Sequence, residues 1–436
     1  MLDAEVIVAG AGPAGTSTAF FLARAGVDVL LLDRARFPRD KPCSEYLSPQ
    51  GSRLLEAMGA LGAVEAAGAA RLEGMIVRAP SGARIVGRFR AVRGYVPWQA
   101  HGLALRRRVL DALLLERARA AGARVVEGAR VADLERDGAG RVVGVRGTDA
   151  EGTHRSWRAP VVVGADGLRS VVARRLGLAH TARWPRRVAL VTHYRGVEGV
   201  GLSGEMHVEA DGYVGVARVD AGLANVAVVV PAARARAMAG DPAAFLERWI
   251  AARPHLAPRF AGAERVGPVR AVGPFAAHAR SGWAPGAALV GDAADFFDPF
   301  TGEGMYAALR GGELLADYAR EAARGSRHAA DAALAEYDRR RRREFSGKWT
   351  VERLVGLAVA FPPLIERAAR ALSRRPDMAD TFVGVTGDFV PAREVLRPGY
   401  VARLAFPWLA GLGAPALRES CVGEADSAVA RTTVTE

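Results

Sequence analysis

The feature that most constrains this chain is a glycine pattern at its start. A β-branched run at residues 5–9 leads into Gly10-Ala11-Gly12-Pro13-Ala14-Gly15, residues 16–25 read as a helix closed by Gly26, and residues 27–32 form a second apolar run ending at Asp33. Strand, tight turn, helix and strand make one βαβ unit, and unbroken apolar runs are what parallel strands buried on both faces require. Each glycine has its own task. Gly10 permits the tight turn, Gly12 lets the backbone approach a pyrophosphate, and Gly15 lets the helix pack closely on the strand. The helix start offers unpaired N–H groups and a positive dipole end to a phosphate. Asp33 can accept hydrogen bonds from a ribose. The pattern predicts a bound dinucleotide without saying which one.

Two later turns narrow the choice. Gly164-Ala165-Asp166-Gly167-Leu168-Arg169-Ser170 follows a buried run at residues 161–163. Gly291-Asp292-Ala293-Ala294 follows another at 287–290 and continues into Pro299-Phe300-Thr301-Gly302-Glu303-Gly304-Met305. A carboxylate at a strand end can hold a ribityl hydroxyl. A glycine turn that opens a helix can aim backbone N–H groups at a flavin pyrimidine, where negative charge develops on reduction.

With these three motifs the chain resembles the FAD-dependent superfamily of aromatic hydroxylases, geranylgeranyl reductases and flavin-dependent halogenases, from residue 3 to about 320. The resemblance implies a Rossmann-like FAD-binding domain of the glutathione-reductase type, an antiparallel-sheet substrate domain and a helical C-terminal region. By that resemblance Gly10, Gly12, Pro13, Ala14, Gly15, Asp33 and Arg34 hold the ADP half of FAD. Arg39 and Arg107 contact the cofactor, and Val131 holds adenine through its backbone. Asp166 and Gly167 fall on the Asp-Gly motif that stabilises FAD and helps nicotinamide binding, Asp292 on the ribityl and pyrophosphate site, and Pro299, Gly302, Glu303, Gly304 and Met305 face the isoalloxazine. The segment Pro38-Arg39-Asp40-Lys41-Pro42-Cys43 and the stretch from Pro299 bring the chain nearer the geranylgeranyl reductase branch. Prenyl reductases carry Tyr-x-Trp-x-Phe-Pro in the substrate sheet, whereas this chain reads Tyr213-Val214-Gly215-Val216-Ala217-Arg218. Tyr213, Gly215 and Ala217 are therefore expected beside the substrate, with the bulky wall removed. The halogenase Trp-x-Trp-x-Ile-Pro motif is absent. Cys43 is a weak catalytic candidate near the flavin, or equally a small residue in a tight loop.

The rest of the chain supplies the expected domains. Residues 1–75, 101–178 and 265–345 read as a discontinuous FAD domain, 76–100 and 179–264 as the substrate sheet, and 346–436 as a helical region. Residues 266–274 are expected to return toward the first domain. Helical pieces at 351–374 break at Pro362-Pro363 and are expected to cover the substrate domain, with a weak peripheral membrane contact as the alternative. His101, His193 and His207 read as structural or solvent-facing.

Composition excludes more than it identifies. The longest apolar stretch, residues 354–365, is interrupted by two prolines, and the N-terminus lacks the basic flank of a signal peptide, so a cytoplasmic protein is expected. Two cysteines, Cys43 and Cys421, rule out a disulfide framework and a cysteine-built metal site. The formal charge is +13, yet lysine occurs only at Lys41 and Lys348 and arginine is dispersed, which reads as compositional bias rather than a nucleic-acid footprint. The run at 339–343 reads as a solvated helix end. No metal site is expected. The leading functional expectation is a monooxygenase that uses NADPH or NADH and molecular oxygen on an aromatic, quinone or polyketide-like substrate of secondary metabolism. A reductase or dehydrogenase of an alkene or ring is the alternative, and a halogenase or a non-catalytic flavin binder the minor ones. The sequence leaves oligomeric state open.

Overall fold

A computed structural model describes residues 2–182, 184 and 186–406. The end of the expected helical region, residues 407–436 with Cys421, lies outside the described residues.

The βαβ unit forms as its spacing predicts, with strand Val6–Ala9, helix Pro13–Arg24 and strand Val29–Asp33. Both strands are wholly buried, which accounts for their unbroken apolar sequence. They sit inside a six-stranded sheet in the order Trp283–Ala284, Ala287–Leu289, Val161–Gly164, Val6–Ala9, Val29–Asp33, Arg124–Glu127. Neighbours are parallel except at the Trp283–Ala284 edge. Alternation decides what each face meets. Val6, Val8, Val29 and Leu31 pack with the helices, among them Leu110 and Leu114 of Arg107–Ala120 and Leu309 and Leu315 of Gly304–Arg324. Ile7, Ala9, Leu30 and Leu32 face Leu134, Val142 and Trp157 of a three-stranded antiparallel layer. This is the Rossmann-like α/β domain.

The second sheet has seven strands in the order Glu264–Val272, Arg187–Arg195, Leu223–Pro231, Gly212–Arg218, Ser203–Glu209, Gly74–Arg78, Arg84–Arg88. It departs from the antiparallel expectation at one pair. Gly74–Arg78 enters from the first domain rather than through a hairpin, and runs parallel to Ser203–Glu209. Residues 266–274 do not lead straight back to the first domain. Their apolar and β-branched positions form most of the edge strand Glu264–Val272, paired with Arg187–Arg195. Ala189, Val191, Tyr213 and Val229 point to one face, and Leu190, Val214, Val226 and Val228 to the other, where Leu246 and Trp249 of helix Pro242–Ala251 cover them.

The arginine run at 339–343 is not a helix end. It lies midway along the 34-residue helix Arg327–Ala360. Arg341 is buried there and pairs with Asp338 at 2.9 Å and also with Asp295, while Arg342 pairs with Asp338 at 3.0 Å. The helix stops at Ala360, two residues before Pro362, as proline geometry requires, and Pro362–Ser373 starts anew. Pro362–Ser373 and Pro376–Thr386 pack against edge strand Arg84–Arg88. Among the described residues no helix is long and apolar enough to cross a membrane.

Candidate cofactor and substrate site

The three motifs meet because three adjacent parallel strands end in register. Ala9 pairs with Gly164, and Gly164 with Leu289, so the turns that follow stand side by side at the carboxyl edge. Cofactors bind at such edges in open α/β sheets. The glycines differ as their tasks require. Gly10 adopts φ +105°, and a Cβ there would lie 2.5 Å from the Ala165 carbonyl oxygen. A Cβ on Gly15 would lie 1.7 Å from the Gly10 carbonyl oxygen. At Gly12 the nearest atoms would be Nη2 of Arg107 and Nη2 of Arg39, both at 3.8 Å. Gly12 thus faces open space rimmed by two guanidinium groups, as an approaching pyrophosphate requires. Gly12 caps helix Pro13–Arg24 without a side-chain hydrogen bond, which leaves the helix start available to an anion.

Gly12, Pro13, Ala14, Arg107, Gly167, Asp292, Pro299, Gly302, Gly304 and Met305 line one cavity together with Cys43, Tyr213, Gly215 and Ala217. The other expected residues stand outside its lining. Asp33 ties the glycine loop to its strand, accepting from Ala11 N–H at 2.7 Å and Ala35 N–H at 2.8 Å. Each carboxylate oxygen keeps a further lone pair for a ribose hydroxyl. Arg39 pairs with Asp111 at 3.0 Å, Arg34 is exposed, and Val131 lies on the outer antiparallel layer opposite Gly147. Asp166 Oδ2 accepts from Val171 N–H at 2.6 Å. Its Oδ1 is buried without a hydrogen-bond partner among the described residues, an acceptor that a ribityl hydroxyl would satisfy. The open cradle at Gly12, this orphaned acceptor and the arginine rim fit FAD.

Electrostatics follow from enclosure. Burial pushes the Asp292 carboxyl up, while Lys41 and Arg107 pull it down. Burial and Arg107 hold Lys41 below the usual lysine value, and Asp292 opposes them. Arg107 itself is fixed by a two-pronged pair with Asp111 at 2.6 and 2.7 Å. Lys41 lies in the Pro38–Cys43 segment, which motif reading uses for the branch alone and not for the site; the further signal is its rarity in an arginine-rich chain. Glu45 is another residue not read for the site. It sits at φ +61°, and its carboxylate accepts from Arg107 N–H at 3.0 Å and Asn225 at 3.0 Å and contacts His193 at 2.6 Å. It clamps the cofactor helix to the substrate sheet, which no local spacing signals.

Three expected contacts take a different form. The Tyr213 hydroxyl is spent on Asp298 at 2.7 Å, and Arg187 holds the other oxygen of Asp298 at 2.6 Å, so Tyr213 offers the cavity its ring rather than a free hydroxyl. The wall at Gly215 is not missing. A Cβ there would stand 3.2 Å from Met206 Sδ, so Met206 occupies the space beside the strand. Glu303 caps helix Gly304–Arg324, but its carboxylate meets Glu352 and Lys348, the latter at 4.0 Å.

Comparison with known proteins agrees with this geometry. The FAD binding domain family model matches residues 3–348. Digeranylgeranylglycerophospholipid reductase 2 of Methanopyrus kandleri is 31% identical over 402 residues, covering 89% of this chain and 94% of that protein. Menaquinone reductase of Mycobacterium tuberculosis is 36% identical over 199 residues, 44% of each chain. The structure of the flavin-dependent brominase Bmp2 superposes with a TM-score of 0.78 at 21% identity, covering 94% of this chain and 99% of that one, which shows the shared fold. The chain belongs to the FAD-binding superfamily of aromatic hydroxylases and geranylgeranyl reductases, nearer the reductase branch, and is an FAD-dependent oxidoreductase.

Proposed function

We propose that the protein reduces a carbon–carbon double bond in a lipophilic substrate, with NADPH or NADH as electron donor. We rank this ahead of the oxygenation that the sequence alone puts first. The observation that carries it is the continuity of one cavity from the phosphate cradle to an apolar wall. Leu72, Met75, Val191, Met206 and Phe275 line that cavity together with Gly12 and Asp292. Met206 supplies bulk beside Gly215, which answers the main sequence objection to a chain-like substrate. Full-length similarity to a protein named as a lipid reductase supports the same reading.

FAD supplies hydride transfer between the nicotinamide donor and the substrate. The chain's own residues do the rest. Arg107, Arg39 and Lys41 would meet the diphosphate, Asp166 and Asp292 the ribityl hydroxyls, and the sheet face would align an alkene and exclude water.

The test uses purified holoenzyme with NADPH under anaerobic conditions and menaquinone or geranylgeranyl diphosphate as probe. A product in which a prenyl-chain double bond has gained two hydrogen atoms is expected, as distinct from reduction of the quinone ring to its quinol. A product that carries an oxygen atom from O2, formed only in air, would restore the monooxygenase reading. Trp349, Phe296 and Phe297 on the cavity lining would suit an aromatic substrate in that case.

A further inference from the structure

Among 60 lysine and arginine residues only Lys41 and Lys348 are lysine; Lys41 lines the cofactor and substrate cavity, and Lys348 lies between Phe345 and Trp349, which line it too. Lysine differs from arginine in being a compact charge that yields its proton when buried. Lys41 serves the cradle. Lys348 has another setting, which the cofactor motifs do not account for.

Lys348 and Glu352 lie one turn apart on helix Arg327–Ala360. Glu303 reaches them from the start of helix Gly304–Arg324, and Asp388 from the segment after Pro376–Thr386, where it pairs with Lys348. The Lys348 ammonium also stands 4.6 Å over the Tyr306 ring. Glu303 is 3% exposed, and its Oε2 is buried without a hydrogen-bond partner among the described residues. Glu303 faces Glu352 as a like charge. Three carboxyl groups, Glu303, Glu352 and Asp388, surround a single lysine, so at least one of them stays neutral on charge grounds. Glu352 is the member of the group that lines the cavity.

We infer that Glu352 is the proton donor to the substrate, with Glu303 and Lys348 as its positioning residues. The inference rests on the reductive reading above. When hydride reaches one alkene carbon, the π pair forms the second C–H bond with the Glu352 proton, and the O–H pair stays on Glu352. The resulting carboxylate is balanced by Lys348 against the repulsion of Glu303, which drives its reprotonation from water. Burial raises Glu352 well above the usual carboxyl range. Glu303 adds to this, Lys348 opposes, and Asp298 and Asp295 from the neighbouring loop add again.

The experiment compares wild type with Glu352→Gln. Four readouts serve: flavin content, rate of flavin reduction by NADPH, turnover of the menaquinone or geranylgeranyl probe, and the carbonyl stretch of a neutral carboxylic acid by infrared spectroscopy at pH 8. Glu352→Gln should keep its flavin and its NADPH step, lose about 100-fold or more in kcat with KM little changed, and lose the infrared band. Glu352→Asp should recover part of kcat. Glu303→Gln should move the alkaline limb of the kcat profile to lower pH, since the like charge that raises Glu352 is gone. An absent band in wild type overturns the inference, as does an unchanged kcat in Glu352→Gln. If wild type shows the band but hydrogenates neither probe, the reductive reading fails and the donor role falls with it. If wild type hydrogenates a probe and Glu352→Gln does so equally fast, the donor role alone falls.

Discussion

Gly10 and Gly12 stand two positions apart in one loop and fail differently when given a methyl group. At Gly10 an alanine would combine φ +105° with a Cβ 2.5 Å from a backbone oxygen, and backbone cannot step aside as a flexible side chain can. The strain should cost about 1–3 kcal/mol at the least. Gly10→Ala should therefore lower both the melting temperature of the apoprotein and the flavin content. At Gly12 the nearest atoms are 3.8 Å away, so Gly12→Ala should leave the apoprotein melting temperature within a degree or two of wild type and still lower flavin content, because the methyl fills the cradle. Thermal melts of apoprotein and the flavin-to-protein absorbance ratio check both, and equal apoprotein loss in the two variants would contradict the assignment. These glycines are legible in sequence because their meaning is local: strand, turn and helix lie within twenty residues. Glu303 is marked by the glycine motif that begins at Pro299, but Lys348, Glu352 and Asp388 carry no such signature. They are brought together by packing between elements distant in the chain, and only the scarcity of lysine hinted at one of them.

The helix Arg327–Ala360 shows the same limit one level up. Read as a charge run, residues 339–343 look like a solvated end. Read at helical spacing, Ala330, Ala333, Leu334, Tyr337, Asp338, Arg341 and Phe345 make one buried stripe, and Arg341 belongs to it. A buried arginine is tolerated only where carboxylates meet it, and Asp295 and Asp338 do so from two elements. Burial lifts Asp295 to about 6 even with Arg341 holding it down. A carboxyl raised in the folded state favours folding most when protonated, so this contribution is complete at low pH and is lost as pH rises through about 6. Arg341→Met would strip Asp295 and Asp338 of their counter-charge. It should cost about 3–5 kcal/mol at pH 8, with a smaller loss near pH 5, where Asp295 takes up a proton. Urea denaturation at the two pH values measures the difference, and an equal loss at both would show that Asp295 is not the group left exposed to the change.

Across the whole molecule, the cofactor cradle is assembled from chain segments that share no local structure. Residues 10–15, 164–170 and 291–305 come together only because their strands are neighbours in one sheet, and Glu45 joins that edge to His193 and Asn225 of the second sheet. The strand content and the βαβ start could be read from alternation and glycine spacing. The edge strand Glu264–Val272 and the parallel pair at Gly74–Arg78 could not, because which sheet a strand joins depends on partners elsewhere in the chain. A ligand held by all three segments should stabilise them as one unit. It binds only the folded state, so its contribution grows as RT ln(1 + [L]/Kd), about 2.7 kcal/mol at a hundredfold excess over Kd. Removal of FAD should lower the melting temperature by several degrees, and added FAD should restore it in proportion to the logarithm of its concentration. Hydrogen exchange should then quicken together in 10–15, 164–170 and 291–305 on FAD removal, while strands Arg187–Arg195 and Leu223–Pro231, held by their own ladder in the second sheet, keep their protection. Loss confined to one of the three segments would mean that the ligand is held there alone, and that the shared edge of the sheet does not build the site.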